Sequence, residues 1–390
     1  MKDYLKEKTR FVMKTETLMG DGIAKELPDV LAAWEWSRVG LVVDGGLYRH
    51  NDYARQVAET LRQRLEHVTM LIADMPEPTY DYLDQTRGVF ADLDLDCFVG
   101  IGGGSTLDIA KGLATLMTNE GAAVSYRGFG KVKNTPLPVV ALPSTAGTGS
   151  EVTPYAVFID TQQQWKFGIN SEHNYPKLAL YDPRLLDSCP DRIYASAGMD
   201  AMTHTLESFV ARNATVVSRM FSKQAFKLLF PNLKRAAGGE RSTAVKLNLL
   251  LGAGCAGVAL MNSGAGPAGA LSYPLGVYYD VPHGLAGSVF LPAVIRYNVE
   301  NGYTDYAELY DLVCDEACAT AAEKSSRFAE AIEQLSDELG IPTELGGFGV
   351  KTDEDSRRII DHSMQLKAAF EQNPITFGQS EVERIVYALS

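Results

Sequence analysis

Four short runs of β-branched and aliphatic residues recur through the first half of this 390-residue chain: VGLVVDGG (39–46), VTMLIAD (68–74), DCFVGIGGG (96–104) and PVVALPS (138–144). Amphipathic stretches such as DYARQVAETLRQRLE and STLDIAKGLATLMTN lie between them. Apolar runs of this length read as buried strands. Their alternation with helical periodicity predicts an α/β N-terminal domain with a doubly wound parallel sheet of Rossmann-like type. The alternation stops after LALYDPRLLD (178–187). Helical periodicity, interrupted at AAGGERST and GAGPAG, then runs on and predicts an all-α C-terminal domain. The expected domains are 1–185 and 186–390, as suits a length beyond one ordinary core.

A net charge of -13 argues against non-specific binding to nucleic acid or to an anionic membrane. The opening MKDYLKEKTRFVMKTE mixes both charges and lacks the apolar stretch of a signal peptide. The most apolar run, LLLGAGCAGVALM (249–261), is too short to span a bilayer and reads as a buried helix. Its Gly252, Gly254 and Gly257 admit a close neighbour. The five cysteines are scattered, and the Cys314/Cys318 spacing has no second pair to complete a zinc knuckle. These features predict a reduced, cytoplasmic protein, and a homodimer is compatible with them.

GIGGGSTLDIAKG joins a strand directly to a helix. Gly102, Gly103 and Gly104 leave backbone N–H groups open to a phosphate at the positive end of a helix, although such turns also occur without one. Ser105 and Asp108 have capping-box spacing. Asp44 ends the first strong strand, where a carboxylate reads ribose hydroxyls and repels a 2′-phosphate, which favours NAD over NADP; a plain turn aspartate fits the local sequence equally. LPSTAGTGSEVT (142–153) supplies Ser144, Thr145 and Thr148 after another strand, as cofactor contacts or as an ordinary hydroxyl-rich loop.

In GMDAMTHTLESF (198–209), Asp200 and His204 are four apart and share a helix face. By spacing alone, two packed side chains joined by a hydrogen bond are the simpler account. YDVPHGLAG adds His283 at what reads as a helix start. The three together offer N/O ligands for a divalent metal that polarises a carbonyl or alkoxide oxygen.

In order, GGGSTLDIAK, LPSTAGTGSEVT, GMDAMTHTLESF and YPLGVYYDVPHGLAG resemble the iron-containing (group III) alcohol dehydrogenases over nearly the whole chain. The resemblance implies a dehydroquinate synthase-like architecture, with the active site in a cleft between an NAD(P)-binding domain and a helical metal-binding domain. It places cofactor contacts at Asp44, Gly102, Gly103, Gly104, Ser105, Asp108, Ser144, Thr145 and Thr148, and metal ligands (Fe2+ or Zn2+) at Asp200, His204 and His283. The family's remaining ligand histidine falls on Gly269, and a second family histidine on Tyr273. Two accounts follow: a metal held by three residues and solvent or substrate, or a metal-free site in which Tyr273 assists as a proton donor.

The expected activity is NAD(P)-dependent interconversion of an alcohol with an aldehyde or ketone. The altered ligand segment points towards a polyhydroxylated or acidic substrate. A sugar-phosphate cyclase of the dehydroquinate-synthase type and a catalytically silent NAD-binding relative stand as alternatives.

Overall fold

The computed structural model describes residues 8–75, 77–314 and 320–390. The expectations made for the first seven residues and for Cys318 lie outside the described residues. The chain divides into two compact units. One comprises residues 13–191 with 241–250; the other comprises 192–240 and 251–390 with the described residues before Met13.

The first unit is built on a six-stranded sheet in the order β1-β9-β6-β4-β2-β3. Its strands are β1 (Glu16–Met19), β2 (Arg38–Asp44), β3 (His67–Ala73), β4 (Cys97–Gly102), β6 (Val139–Pro143) and β9 (Leu178–Tyr181). Every pairing is parallel. β4, β6 and β9 are buried along their whole length, which is why they read as continuous apolar runs. From β2 the chain passes outward to β3 and returns across β2 to β4, so the strand order reverses between β2 and β4. At such a switch point the carboxyl ends of adjacent strands splay their loops apart and leave a crevice for a ligand.

A second sheet, not anticipated from the sequence, has the order β5-β8-β7, with β5 at Gly128–Phe129, β7 at Tyr155–Asp160 and β8 at Trp165–Asn170. β7 and β8 pair antiparallel, and Gln164 takes φ 53° in the turn between them. β7 alternates buried and half-buried residues, a weaker signal than a fully buried run.

Among the described residues no strand follows Tyr181, and helices build the second unit. The apolar 249–261 run lies in a longer helix than expected, Thr243–Ser263. By length and composition that helix could cross a bilayer, but 61% of its most apolar window is buried in the protein, as in a core helix. At Gly252 an added Cβ would meet Leu229 Cγ at 2.7 Å, so this glycine does admit a close neighbour. Cys97, Cys189, Cys255 and Cys314 are free thiols.

Candidate functional site

In the sheet unit, the carboxyl ends of β2, β4 and β6 bring the sequence-predicted cofactor residues together. The Ser144 N–H donates to the Gly102 carbonyl at 2.9 Å, tying the loop after β6 to the end of β4. None of Gly102, Gly103 and Gly104 has a positive φ, so it is space, not backbone conformation, that limits side chains there, most tightly at Gly102 and Gly104. A Cβ on Gly102 would sit 2.8 Å from Asp44 Cβ, and one on Gly104 2.6 Å from Thr148 Oγ1. One on Gly103 would sit 3.3 Å from Thr145 Oγ1.

Beyond the glycines runs the helix Gly104–Leu116, whose N-cap is Gly103, a residue with no side chain to cap the first turn. The expected Ser105–Asp108 capping box is therefore not formed. Backbone N–H groups at such an end, together with the helix dipole, suit a phosphate. Asp44 is itself an N-cap: its Oδ1 accepts the Leu47 N–H at 2.6 Å, starting the short helix Gly45–His50.

Asp108 faces the loop instead of the helix end. Its carboxylate accepts from Ser150 Oγ (2.5 Å) and Val157 N (2.9 Å) and pairs with Lys111 at 3.1 Å. Lys111 is wholly buried and donates to the carbonyls of Ser150 (3.0 Å), Thr153 (3.5 Å) and Tyr155. Burial pulls its pKa down, and the Asp108 charge opposes that shift. Beside it, burial pushes the Glu151 carboxyl up to about 7, although Tyr181 donates to it at 3.1 Å. These groups pin the loop that carries Thr145 and Thr148. Sequence reasoning missed Lys111 and Glu151, because what they touch depends on residues tens of positions away.

In the helical unit, Asp200 and His204 lie on the helix Asp191–Val210; the helix Pro267–Tyr279 is followed by His283–Glu300, which His283 opens. Gly284 lets the last of these approach closely: a Cβ there would come within 2.7 Å of the Ser196 carbonyl and 3.0 Å of Asp200 Cβ. His204 Nε2 is 3.6 Å from Asp200 Oδ1, and His283 Nε2 is 4.0 Å from the same oxygen. One ligand atom from each of the three residues lies within 4.8 Å of the others.

Neither imidazole is close enough to the carboxylate for a hydrogen bond, so a simple hydrogen-bonded pair does not describe Asp200 and His204. His204 Nδ1 is also buried without a hydrogen-bond partner. Ligand atoms around a tetrahedral zinc-like ion lie roughly 3.3–3.6 Å apart, close to these separations. The donor set, two imidazoles and a carboxylate, fits a divalent metal.

Gly269 lies in the first turn of Pro267–Tyr279, next to a residue the sequence analysis did not single out. The buried Glu207 carboxylate accepts the N–H groups of Gly266 (2.8 Å), Ala268 (2.7 Å) and Gly269 (3.2 Å). Burial raises its pKa, and the three backbone donors oppose that shift. Three positions after His204, Glu207 was visible as a further carboxylate near the Asp200 face. The Tyr273 ring lies 5.7 Å from the His283 ring, centroid to centroid, which puts the phenol beside the cluster.

The family profile described as iron-containing alcohol dehydrogenase matches residues 14–183, and the profile of that family's C-terminal part matches 194–389. A 1,3-propanediol dehydrogenase of Klebsiella pneumoniae is 33% identical over 350 residues, covering 88% of this chain and 89% of that protein. An NAD-dependent methanol dehydrogenase of Bacillus methanolicus is 28% identical over 379 residues, covering 97% and 99%. The crystal structure of a 1,3-propanediol oxidoreductase matches with a TM-score of 0.91 at 28% identity, over 98% of this chain and 100% of that one.

Proposed function

The chain belongs to the iron-containing alcohol dehydrogenase family, and from that premise we propose that its sheet unit carries the NAD and its Asp200, His204 and His283 hold the metal. The protein is an NAD-dependent oxidoreductase that interconverts an alcohol and an aldehyde or ketone by hydride transfer. Membership sets aside the sugar-phosphate cyclase alternative. The observation that carries the metal assignment is the Asp200 carboxylate standing 3.6 and 4.0 Å from two imidazoles without bonding to either.

NAD supplies the hydride chemistry, and a divalent ion at the cluster supplies a Lewis acid for the substrate oxygen. The chain's own residues do the rest. The uncapped start of Gly104–Leu116 would take the pyrophosphate, Asp44 the adenosine ribose, and Ser144, Thr145 and Thr148 further polar atoms of the cofactor. Asp108 and Lys111 hold the loop that presents Thr145 and Thr148. Tyr273, whose ring lies 5.7 Å from that of His283, would donate a hydrogen bond or a proton to the oxygen that gains charge in reduction. From the free thiols we infer a cytoplasmic enzyme, and from the net charge of -13 one that uses no nucleic acid or membrane partner.

The test is NADH oxidation with propanal, glyceraldehyde and a carboxylate-bearing aldehyde, repeated with Tyr273→Phe. Turnover of at least one substrate is expected, with glyceraldehyde or the acidic aldehyde preferred. If a metal is the main electrophile, Tyr273→Phe costs modestly; a loss of about 10²-fold or more would make the phenol the principal acid. Absence of turnover with all three, in protein that binds NADH and metal, would contradict the reading.

A further inference from the structure

Ser272 Oγ lies 2.7 Å from the Gly269 carbonyl and 3.3 Å from His283 Nδ1. A carbonyl oxygen only accepts, so the single hydroxyl proton goes to Gly269. Towards His283 the same oxygen can then only accept, which requires the imidazole proton on Nδ1. The lone pair is left on Nε2, the nitrogen that faces Asp200 Oδ1.

The Gly269 carbonyl that directs Ser272 is itself fixed in place. Gly266, the N-cap of Pro267–Tyr279, has no side chain to cap the helix. Glu207 reaches across from Asp191–Val210 and takes three N–H groups of that first turn, including the one on Gly269. Two glycines make room for it: a Cβ on Gly266 would lie 2.8 Å from Oε1, and one on Gly269 3.1 Å from Oε2. Glu207 and Ser272 are 4% and 1% exposed, so water does not compete for these bonds.

We propose that Glu207 and Ser272 are positioning residues that hold His283 with its proton on Nδ1 and its Nε2 lone pair turned to Asp200 and His204. Glu207 anchors the turn, the Gly269 carbonyl orients the Ser272 hydroxyl, and Ser272 selects the tautomer. The turn on which the resemblance places a fourth ligand thus serves here to aim one of the remaining three. The inference rests on the metal assignment above for its catalytic meaning, but not for its geometry. A hydrogen-bond partner on the far nitrogen of a ligating histidine typically changes metal affinity or activity about 10–100-fold when removed.

The experiment uses the full chain, metal-stripped and labelled with ¹⁵N-histidine, at a pH where the imidazoles are neutral. His283 signals are assigned by their loss in His283→Gln. The native protein is expected to show His283 protonated on Nδ1, and Ser272→Ala to shift it towards the other tautomer. Zinc dissociation constants, from competition with a chelator, are expected to rise about 10–100-fold in Ser272→Ala and in Glu207→Gln. NADH affinity and the thermal midpoint of Ser272→Ala should stay near the native values. An Nε2-protonated His283 in the native protein would overturn the proposal. So would a Ser272→Ala protein with unchanged tautomer and unchanged zinc affinity. An Nδ1-protonated His283 in a protein that holds no zinc would support the orientation and remove only the metal assignment.

Discussion

The Gly269 N–H donates to the Glu207 carboxylate at 3.2 Å, and a Cβ on Gly269 would come within 3.1 Å of Oε2 in that same carboxylate. The position the family gives to a metal ligand is therefore packed against a buried acid held by its own turn. Gly269→His, which restores the residue the resemblance implies there, brings its Cβ to 3.1 Å from Glu207 Oε2, so the acid must give by a few tenths of an ångström. We expect the substitution to lower the thermal midpoint, at an overpacking cost of about 1–3 kcal/mol, and to tighten zinc binding less than about tenfold. A hundredfold gain with an unchanged midpoint would show that the turn has room for the ring.

Gly104 and Gly103 should respond differently to a side chain. In Gly104→Val the Cβ meets Thr148 Cγ2 and Oγ1 at 2.6 Å, so the loop must shift away from the helix end. In Gly103→Ala the Cβ comes no closer than 3.3 Å to Thr145 Oγ1, at an ordinary φ of -73°. NADH affinity, read by fluorescence titration, should fall about tenfold or more in the first and about threefold or less in the second. Equal losses would place the cofactor phosphates elsewhere.

Asp44 combines two jobs, capping Gly45–His50 and presenting a negative charge at the end of β2. Asp44→Asn keeps an acceptor for the Leu47 N–H and removes the charge. The native protein should bind NADH more tightly than NADPH, and the variant should narrow that gap about fivefold, the scale of a ~1 kcal/mol repulsion in a wet site. Tighter NADPH binding by the native protein would sink this assignment.

How much of this was legible beforehand varies by element. The strand runs at 39–46, 96–104 and 138–144 announced themselves because strands inside a parallel sheet are apolar in succession. The run at 68–74 is also a strand, but β3 lies at the sheet edge and is buried only at Ala73, so the expectation that it would be buried was wrong. The β7–β8 hairpin did not, since its half-buried alternation is dilute. Helix spacing and a Pro-His-Gly helix start singled out Asp200, His204 and His283, but spacing alone favoured a hydrogen-bonded pair for the first two, and the metal reading came from the family resemblance. The roles of Glu207, Ser272 and Lys111 were not legible, because their partners are backbone groups that only tertiary structure supplies. The Ser105–Asp108 spacing misled for the same reason: it cannot reveal that Asp108 reaches Ser150 and Val157.

Glu151 gives a pH signature. Its folded-state pKa of about 7 lies above the ordinary 4.5, so between these values the folded chain holds a proton that the unfolded chain releases. Its contribution to stability is present in full below the lower value and is lost as pH rises through the window, by up to about 1.4 kcal/mol per unit. Between pH 5 and 7.5 the native unfolding midpoint should therefore fall relative to that of Glu151→Gln. Parallel midpoint curves for the two proteins would contradict the burial of an ionisable carboxyl there.

Metal content measured together with turnover tests the Asp200–His204–His283 centre most directly. Protein purified without chelator should carry about one divalent ion per chain, bound more weakly than in a four-ligand site because Gly269 supplies nothing. A chelator should remove both the ion and NADH-dependent aldehyde reduction, and added Fe2+ or Zn2+ should restore them. Full turnover at less than about 0.1 ion per chain would contradict the metal centre and leave Asp200, His204 and His283 as a structural cluster.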